Sequence, residues 1–162
     1  MATDWVSTTL GSIANITSGT TPSRADASQF CRTGGTPWVK TGDLTNGSVE
    51  STDECVTAAA TASNRLRLHE PDTILVAMYG GFQQIGRTGV LRVKAATNQA
   101  IAAVRLHDTQ IVHPEYVLHW LNTHVGAWKR LAGSSRKDPN ITRSDVVRFP
   151  IRVPPPGVQR LI

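Results

Sequence analysis

Residues 75–102 constrain the fold more than any other part of the chain. They read LVAMYGGFQQIGRTGVLRVKAATNQAIA, so apolar runs rich in β-forming residues alternate with a loop interrupted by glycines. Such runs predict strands, and the loop between the first two carries Gln83, Gln84 and Arg87. No acid or thiol lies beside this loop in the sequence. Two strands that present a flexible polar loop are typical of a surface that reads the edges of another molecule.

Length and composition predict one domain with a substantial core, because 40% of the 162 residues are hydrophobic. The charged fraction of 18% is too modest for extended disorder. Seventeen Lys and Arg residues against twelve Asp and Glu residues give a net charge of +5. This basic balance favours a polyanionic partner, either nucleic acid or an anionic membrane.

Nucleic acid is the stronger of these two interpretations. No apolar run approaches the ~20 residues of a membrane-spanning helix, and no helix with a lysine-rich face is predicted. The N-terminal residues MATDWVSTTL lack the basic and apolar regions of a secretory signal, so we expect a cytoplasmic protein. Cys31 and Cys55 share neither the spacing of a metal site nor a disulfide framework, which predicts two reduced thiols.

Turn residues and apolar periodicity predict an α+β fold: a single domain of short, mostly antiparallel twisted strands with one long amphipathic helix and short helices. The predicted strands are residues 5–9, 37–40, 66–68, 73–78, 88–93, 100–106 and 149–153. Residues 18–27 predict a loop. Short helical segments are predicted at residues 10–13, at 57–65 with Thr57 as the cap, and from Thr142 onward.

The long helix is predicted from Pro114 to about residue 131, because proline is well tolerated in a first helical turn. Its apolar face recurs at spacings of four, four and three residues, and comprises Val117, Leu121, Val125 and Trp128. Gly133 is predicted to end this helix.

No arrangement of residues predicts catalysis or a metal site. GxGxxG, GxxxxGK[ST] and HExxH are all absent from the sequence. His113, His119 and His124 are six and five residues apart, which separates neighbouring imidazoles by roughly 120–140° around a helix. No local signature supports Cys31 or Cys55 as a nucleophile.

Residues 80–87 are the leading candidate for direct readout of nucleic acid. A Gln side chain can bond both N6 and N7 of adenine, and an Arg side chain can bond both O6 and N7 of guanine. Gly80 and Gly81 would let the backbone approach a duplex closely. The alternative is an ordinary glycine-rich hairpin whose polar tip faces water.

A second basic cluster begins after Gly133 and leads to Arg143. Hydroxyl and cationic side chains near a helix start suit phosphate contacts, which position a protein without reading sequence. A solvated loop is the alternative. The residues of this cluster are Ser134, Ser135, Arg136 and Lys137, and Arg24 and Lys40 add charge in other loops.

Six segments spread over nearly the whole chain form a recognisable series: LGSIANITSGTTPS, TPWVKTGDL, TILVAMYGG, IGRTGVL, TNQAIAAVRL and ITRSDVVRFPIRVPPP. In this order they resemble the target recognition domains of type I restriction–modification specificity subunits. The resemblance implies a non-catalytic domain that binds double-stranded DNA and reads one half of a split site.

The resemblance also implies partners and site residues. The partners are a methyltransferase subunit that modifies adenine, a restriction subunit, and a second recognition domain or a homodimer mate. No cofactor is expected on this chain, and S-adenosylmethionine and ATP are expected only on the partner subunits. The motif positions that match as DNA-facing or supporting residues are Lys40, Thr41, Asp43, Tyr79, Gly80, Arg87, Thr88, Asn98 and Gln99.

The loop of residues 80–87 is longer than the family's usual form, so base contacts by Gln83 and Gln84 are inferred from their chemistry. Residues 1–153 are predicted to form the recognition domain, and residues 154–162 to begin a truncated spacer helix. The chain is then either a fragment or a half-subunit. One rival interpretation is a protein-interaction module that docks a methyltransferase subunit and has little DNA affinity. The other is an enzyme that uses Cys31 or Cys55.

Overall fold

The computed structural model describes residues 4–133 and 139–162. Its strands are β1 (Val6–Thr9), β2 (Ala14–Ser18), β3 (Phe30–Cys31), β4 (Thr36–Val39), β5 (Gly47–Val49), β6 (Cys55–Val56), β7 (Ile74–Ala77), β8 (Thr88–Leu91), β9 (Ala96–Thr97), β10 (Ile101–Leu106) and β11 (Pro150–Val153). Its helices are α1 (Leu10–Ile13), α2 (Ala58–Ser63), α3 (Pro114–Thr123), α4 (Val125–Gly133), α5 (Arg143–Arg148) and α6 (Pro156–Gln159). The predicted α+β class is confirmed.

A five-stranded sheet in the order β2-β10-β7-β8-β5 forms the centre of the fold. Its pairs are antiparallel except for the parallel pair of β5 and β8. In β7, Ile74 and Val76 pack into one core cluster, whereas Leu75 and Ala77 pack into another. Successive side chains of a strand point to opposite faces, so the sheet separates two cores. Burial on both faces explains why this strand reads as a continuous apolar run.

Helices cover one face of the central sheet, and the predicted start at Pro114 is confirmed. The prediction of one long helix is wrong, because α3 ends at Thr123 and α4 begins at Val125. His124, between them, has φ −109° and ψ 19°. The Thr123 hydroxyl donates to the carbonyl of Trp120 at 2.9 Å, and His124 Nδ1 lies 2.7 Å from the same oxygen. These side chains take the acceptor that a continuous helix would pair with the backbone N–H of His124.

A smaller four-stranded sheet, in the order β3-β6-β4-β9, packs around Trp38, Val56 and Ala60. The helix predicted over residues 57–65 is confirmed as α2. The Thr57 hydroxyl caps this helix by accepting from the backbone N–H of Ala60 at 3.2 Å. The parallel pair of β4 and β9 joins the two sheets, because β9 leads directly into β10.

One predicted strand is absent, and five observed strands were not predicted. Residues 66–68 form no strand, because Arg67 and Leu68 are exposed and the only pairing nearby is a bridge between His69 and Ala95. The strands without a predicted counterpart are β2, which is only partly buried, and four strands of two or three residues: β3, β5, β6 and β9. The other predicted strands are confirmed to within three residues at each end.

The two ends of the described chain meet, because β1 pairs with β11 in antiparallel register. In α6, the buried Gln159 side chain accepts from the backbone N–H of His113 at 2.8 Å and donates to the carbonyl of Ile111 at 2.9 Å. Hydrogen bonds therefore tie α6 to the segment before α3. The predicted boundary between residues 153 and 154, and the spacer helix after it, stay predictions. Among the described residues, no helix is long and apolar enough to cross a membrane.

Candidate nucleic-acid interface

One edge of the central sheet collects most of the predicted site residues. Ala77 at the end of β7 pairs with Ile101 at the start of β10, and Val76 pairs with Thr88 at the start of β8. The segment before β10, with Asn98 and Gln99, therefore emerges beside the loop between β7 and β8.

The smaller sheet brings a third segment to the same edge. Val39 at the end of β4 pairs with Thr97, and its carbonyl accepts from the backbone N–H of Asn98 at 3.0 Å. Lys40 and Thr41, which follow Val39, consequently lie next to the other two segments. We call this surface the loop edge: residues 79–87, Asn98 and Gln99, and Lys40 and Thr41.

The loop between β7 and β8 is anchored at its base rather than freely suspended. The carbonyl of Gly81 accepts from the backbone N–H groups of Gln84 and Ile85 at 2.9 and 3.3 Å. Ile85 is fully buried in the core. Gly86 has a φ of +79°, and a Cβ atom there would lie 2.9 Å from Cδ1 of the buried Trp128. The loop thus presents an exposed tip above a packed base.

The two adjacent glutamines have different environments. The Gln84 side-chain oxygen accepts a hydrogen bond from the Thr41 hydroxyl, which joins the loop to the turn after β4. Gln83 is exposed, and its side chain has no hydrogen-bond partner among the described residues. Arg87 is half-buried, and its guanidinium likewise has no partner in the described part of the chain. Gln83 and Arg87 therefore keep their bonding groups available.

Phe82, at the tip of the loop, is a candidate contact that the sequence analysis missed. Its side chain is 45% exposed, although a phenyl ring of this size is usually buried. The ammonium of Lys129 on α4 lies 5.0 Å from the centre of the ring. An apolar residue among the polar residues of a predicted tip was the signal that could have identified it.

Tyr79 lines a cleft beside the loop, together with Gly80, Gly81, Pro139 and Asn140. The backbone N–H of Ile141 donates to the carbonyl of Met78 at 2.9 Å, which holds the segment before α5 against the end of β7. Burial raises the pKa of Tyr79, so its hydroxyl stays a neutral hydrogen-bond group at physiological pH.

The basic residues of the smaller sheet share one carboxylate. Arg24 bonds Glu54 through both terminal nitrogens, at 2.6 and 3.1 Å, and Lys40 Nζ lies 3.1 Å from Glu54 Oε2. The Arg24 guanidinium also covers the rings of Phe30 and Trp38, at 4.2 and 4.7 Å from their centres. Hydrogen bonding to Arg24, followed by that to Lys40, lowers the pKa of Glu54 against the opposing effect of burial. Arg24 lies in a loop, as predicted, and its charge is engaged by Glu54 although its side chain is 51% exposed.

Three predicted positions have supporting roles in the structure. Asp43 accepts from the backbone N–H of Lys40 at 2.8 Å and so closes the turn after β4. Asn98 accepts from the backbone N–H of Ala100 at 3.1 Å and shapes the turn before β10. Thr88 is fully buried, and its hydroxyl bonds Asn122. Burial rules out a direct contact between Thr88 and an external molecule in this conformation.

Of the remaining predicted residues, Arg143 lies within the described part of the chain. Arg143 is exposed at the first position of α5, next to Thr142, whose hydroxyl caps the helix in a reciprocal arrangement with Asp145. Ser134, Ser135, Arg136 and Lys137 lie outside the described residues. No group of three or more potential metal ligands occurs within the ranges 4–133 and 139–162.

Comparison with known proteins agrees with this architecture. The family described as the type I restriction modification DNA specificity domain matches residues 2–162. A relative from Escherichia coli, the type I restriction enzyme EcoR124I/EcoR124II specificity subunit, is 25% identical over 151 residues. That match covers 90% of this chain and 36% of the subunit.

Solved structures show the same fold. The HsdS subunit from Thermoanaerobacter tengcongensis superposes with a TM-score of 0.74 at 20% identity, over 99% of this chain and 36% of that chain. The S subunit of the type I restriction–modification system from M. genitalium gives a TM-score of 0.66 at 14% identity, over 94% of this chain and 35% of that one.

Two joined sheets that present loops along one edge define a recognition module rather than a cleft for chemistry. The chain belongs to the family of type I restriction modification DNA specificity domains. It spans about a third of the length of the relatives it matches, with 36% coverage of the E. coli subunit.

Proposed function

We propose that the chain binds double-stranded DNA without catalysing a reaction and reads one half of a bipartite target. The observation that carries this proposal is the loop edge, where three separate segments from the two joined sheets meet at one edge of the central sheet. A rigid scaffold fixes the positions of the reading side chains, which direct readout requires.

Gln83 and Arg87 are the proposed base-reading residues, because their side chains are not used within the described fold. Gln83 has the donor and acceptor that match adenine, and Arg87 has the paired donors that match guanine. Gln84 instead braces the loop through Thr41. Phe82 supplies an apolar contact of the kind that thymine methyl groups accept in the major groove.

Phosphate contacts would come from the borders of the loop edge. Lys40 shares Glu54 with Arg24, so Arg24 neutralises part of the carboxylate charge that would otherwise repel DNA. Arg143 is exposed beside the segment that pairs with Met78. Four further residues are proposed as phosphate contacts on their chemistry alone: Ser134, Ser135, Arg136 and Lys137.

The wider assembly is proposed from the family. The chain would work with a methyltransferase subunit, a restriction subunit and a second recognition domain or homodimer mate, in the cytoplasm. We propose that it needs no cofactor itself, and that S-adenosylmethionine and ATP bind the partner subunits. One solved structure of similar fold, at 21% identity and a TM-score of 0.74, concerns complex assembly and conformational transition of the type I R-M system.

The test is selection of binders from a randomised duplex library by the purified chain, repeated across a salt series. Phosphate attraction weakens steeply with added salt, whereas base contacts retain their preference. An enriched short motif that persists as salt rises is the expected result. Binding that vanishes with salt and enriches no motif would contradict autonomous reading by this chain.

A second candidate function is docking to the methyltransferase subunit with little intrinsic DNA affinity. An apolar cleft between α4 and α5 favours it, lined by His124, Ala127, Arg130, Leu131, Asp145, Arg148, Phe149 and Pro150. This candidate predicts stable co-purification with the methyltransferase subunit and no enriched motif in the selection. Substituting Ala127 with Glu would then abolish co-purification, whereas under the first proposal the enriched motif survives that substitution.

A further inference from the structure

Cys31 and Cys55 are directly opposite each other in the smaller sheet. They are paired residues in the antiparallel register of β3 and β6, although 24 positions separate them in the sequence. Their sulfur atoms lie 2.7 Å apart, and both thiols are free. Spacing in the sequence contained no sign of this pairing, because the register of two short strands depends on the whole fold.

The backbone geometry of such a pair suits a covalent bond. Directly opposed residues of antiparallel strands have Cα atoms about 4.5–5.5 Å apart, within the range that disulfides span. Gly35 lies against the pair, since a Cβ atom at that position would come 2.3 Å from the Cys31 sulfur. Gly35 therefore packs against the Cys31 sulfur, and little backbone movement is needed to join the two cysteines.

The pair is also reachable from outside. Cys31 is partly exposed and lines a surface cleft together with Phe30, Arg32, Lys40, Asp53 and Glu54, whereas Cys55 is buried. A small molecule in this cleft meets Cys31 first.

We propose that Cys31 and Cys55 form a reversible disulfide site that accepts oxidising equivalents from low-molecular-weight disulfides such as oxidised glutathione. The Cys31 thiolate attacks the oxidant, forms a mixed disulfide and releases one glutathione thiol. The Cys55 thiolate then attacks the Cys31 sulfur and releases the second glutathione. Two cysteine thiols are oxidised, one glutathione disulfide is reduced, and the two protons pass to the glutathione products.

The disulfide links β3 covalently to β6 and stabilises the smaller sheet. This sheet supports Lys40 and Thr41 of the loop edge. Cross-linking across the intervening residues removes conformational freedom from the unfolded chain. Burial and the neighbouring Cys55 thiol raise the pKa of Cys31 to about 11, so oxidation accelerates as pH rises. Formation of this disulfide does not depend on DNA binding.

The experiment treats the full chain with oxidised glutathione at pH 8.5, followed by intact-mass and peptide mapping and by thermal unfolding. The expected product is a monomer lighter by two hydrogen atoms, with Cys31 linked to Cys55. Its Tm should rise by roughly 5–10 °C, and dithiothreitol should reverse the rise.

Cys31→Ser and Cys55→Ser are the matched controls, each checked for folding by circular dichroism. We expect neither to form the internal link, and we expect Cys55→Ser to retain glutathione on Cys31. Glutathione left on Cys31 of the native chain, or disulfide dimers without an internal link, would overturn the proposal. A disulfide between Cys31 and Cys55 that leaves Tm unchanged would contradict stabilisation of the smaller sheet.

Discussion

The two glutamines at positions 83 and 84 show how environment separates identical side chains. Gln84 bonds Thr41 across 43 positions of sequence, whereas Gln83 stands exposed at the tip. Chemistry alone had proposed base contacts for both. The contact with Thr41 could not be predicted, because it depends on the parallel pairing that brings β4 to the edge of the central sheet.

Replacing each glutamine with alanine should therefore give different results. Gln83→Ala should relax preference at one base pair, costing about 1–3 kcal/mol in discrimination. Gln84→Ala should weaken binding to all sequences alike, because the loop loses its brace. Fluorescence anisotropy measures the affinity of both variants for the selected duplex and its single-base variants. Thr41→Val is the control, and it should reproduce Gln84→Ala; a base-specific loss in Thr41→Val would contradict the bracing role.

Buried His69 is expected to make stability depend on pH. Burial, with a smaller contribution from the charge of Arg67, lowers its pKa from 6.5 to about 4. Between these values the unfolded chain binds more protons than the folded chain, so stability falls as pH drops from 6.5 towards 4. The loss approaches ~3 kcal/mol at full effect. Urea unfolding at pH 7 and pH 4.5 measures it. His69→Leu should remove most of this difference and exposed His119→Gln should preserve it; an unchanged slope in His69→Leu would contradict the assignment.

At the scale of elements, the sequence predicted most boundaries that depend on local chemistry. The hydroxyls of Thr57 and Thr142 accept from backbone N–H groups in the first turns of their helices. Pro114 begins α3 at a position where its missing N–H would have had no helical partner. The break at His124 depends on side chains that compete for the carbonyl of Trp120, which helical periodicity does not reveal. Similarly, β2 is defined by its pairing with β10 more than by its own residues.

The cap of α5 provides a test at this scale. Thr142 bonds the backbone N–H of Asp145, and Asp145 bonds the backbone N–H of Thr142 in return. Thr142→Ala should reduce the free energy of unfolding by about 1 kcal/mol, measured by urea titration. Ser144→Ala, exposed within the same helix, serves as the control and should change stability by less. Equal effects of the two substitutions would argue against the cap.

The base of the loop between β7 and β8 provides a second test of local structure. Gly86 combines a positive φ with close contact to Trp128, which stacks on Phe149 with 3.8 Å between ring centres. Gly86→Ala should lower the free energy of unfolding by about 2–4 kcal/mol, through backbone strain and overpacking. Gly157→Ala, with open space around its position, should have little effect. Thermal and urea unfolding of both variants measure the difference, and similar stabilities would show that the loop base tolerates a Cβ atom.

At the scale of the whole molecule, the fold class followed from apolar runs and turn residues, but the meeting of distant segments did not. The loop edge requires β4, β7 and β10 to end or begin at one border, which is a consequence of sheet order. The Cys31–Cys55 pairing has the same origin. The family resemblance had indicated positions in each segment, whereas the structure divides them into exposed side chains and supporting ones.

We propose that the loop edge reads bases while cationic residues at its borders hold phosphates. The most direct test repeats the duplex selection with Arg87→Ala and, as its matched control, Lys40→Ala. Arg87→Ala should lose preference at one position of the motif and keep the others. Lys40→Ala should keep the whole motif, bind all sequences more weakly and lower the salt slope by about one unit. An unchanged motif in Arg87→Ala, with the affinity loss spread evenly over all sequences, would contradict base reading by this loop.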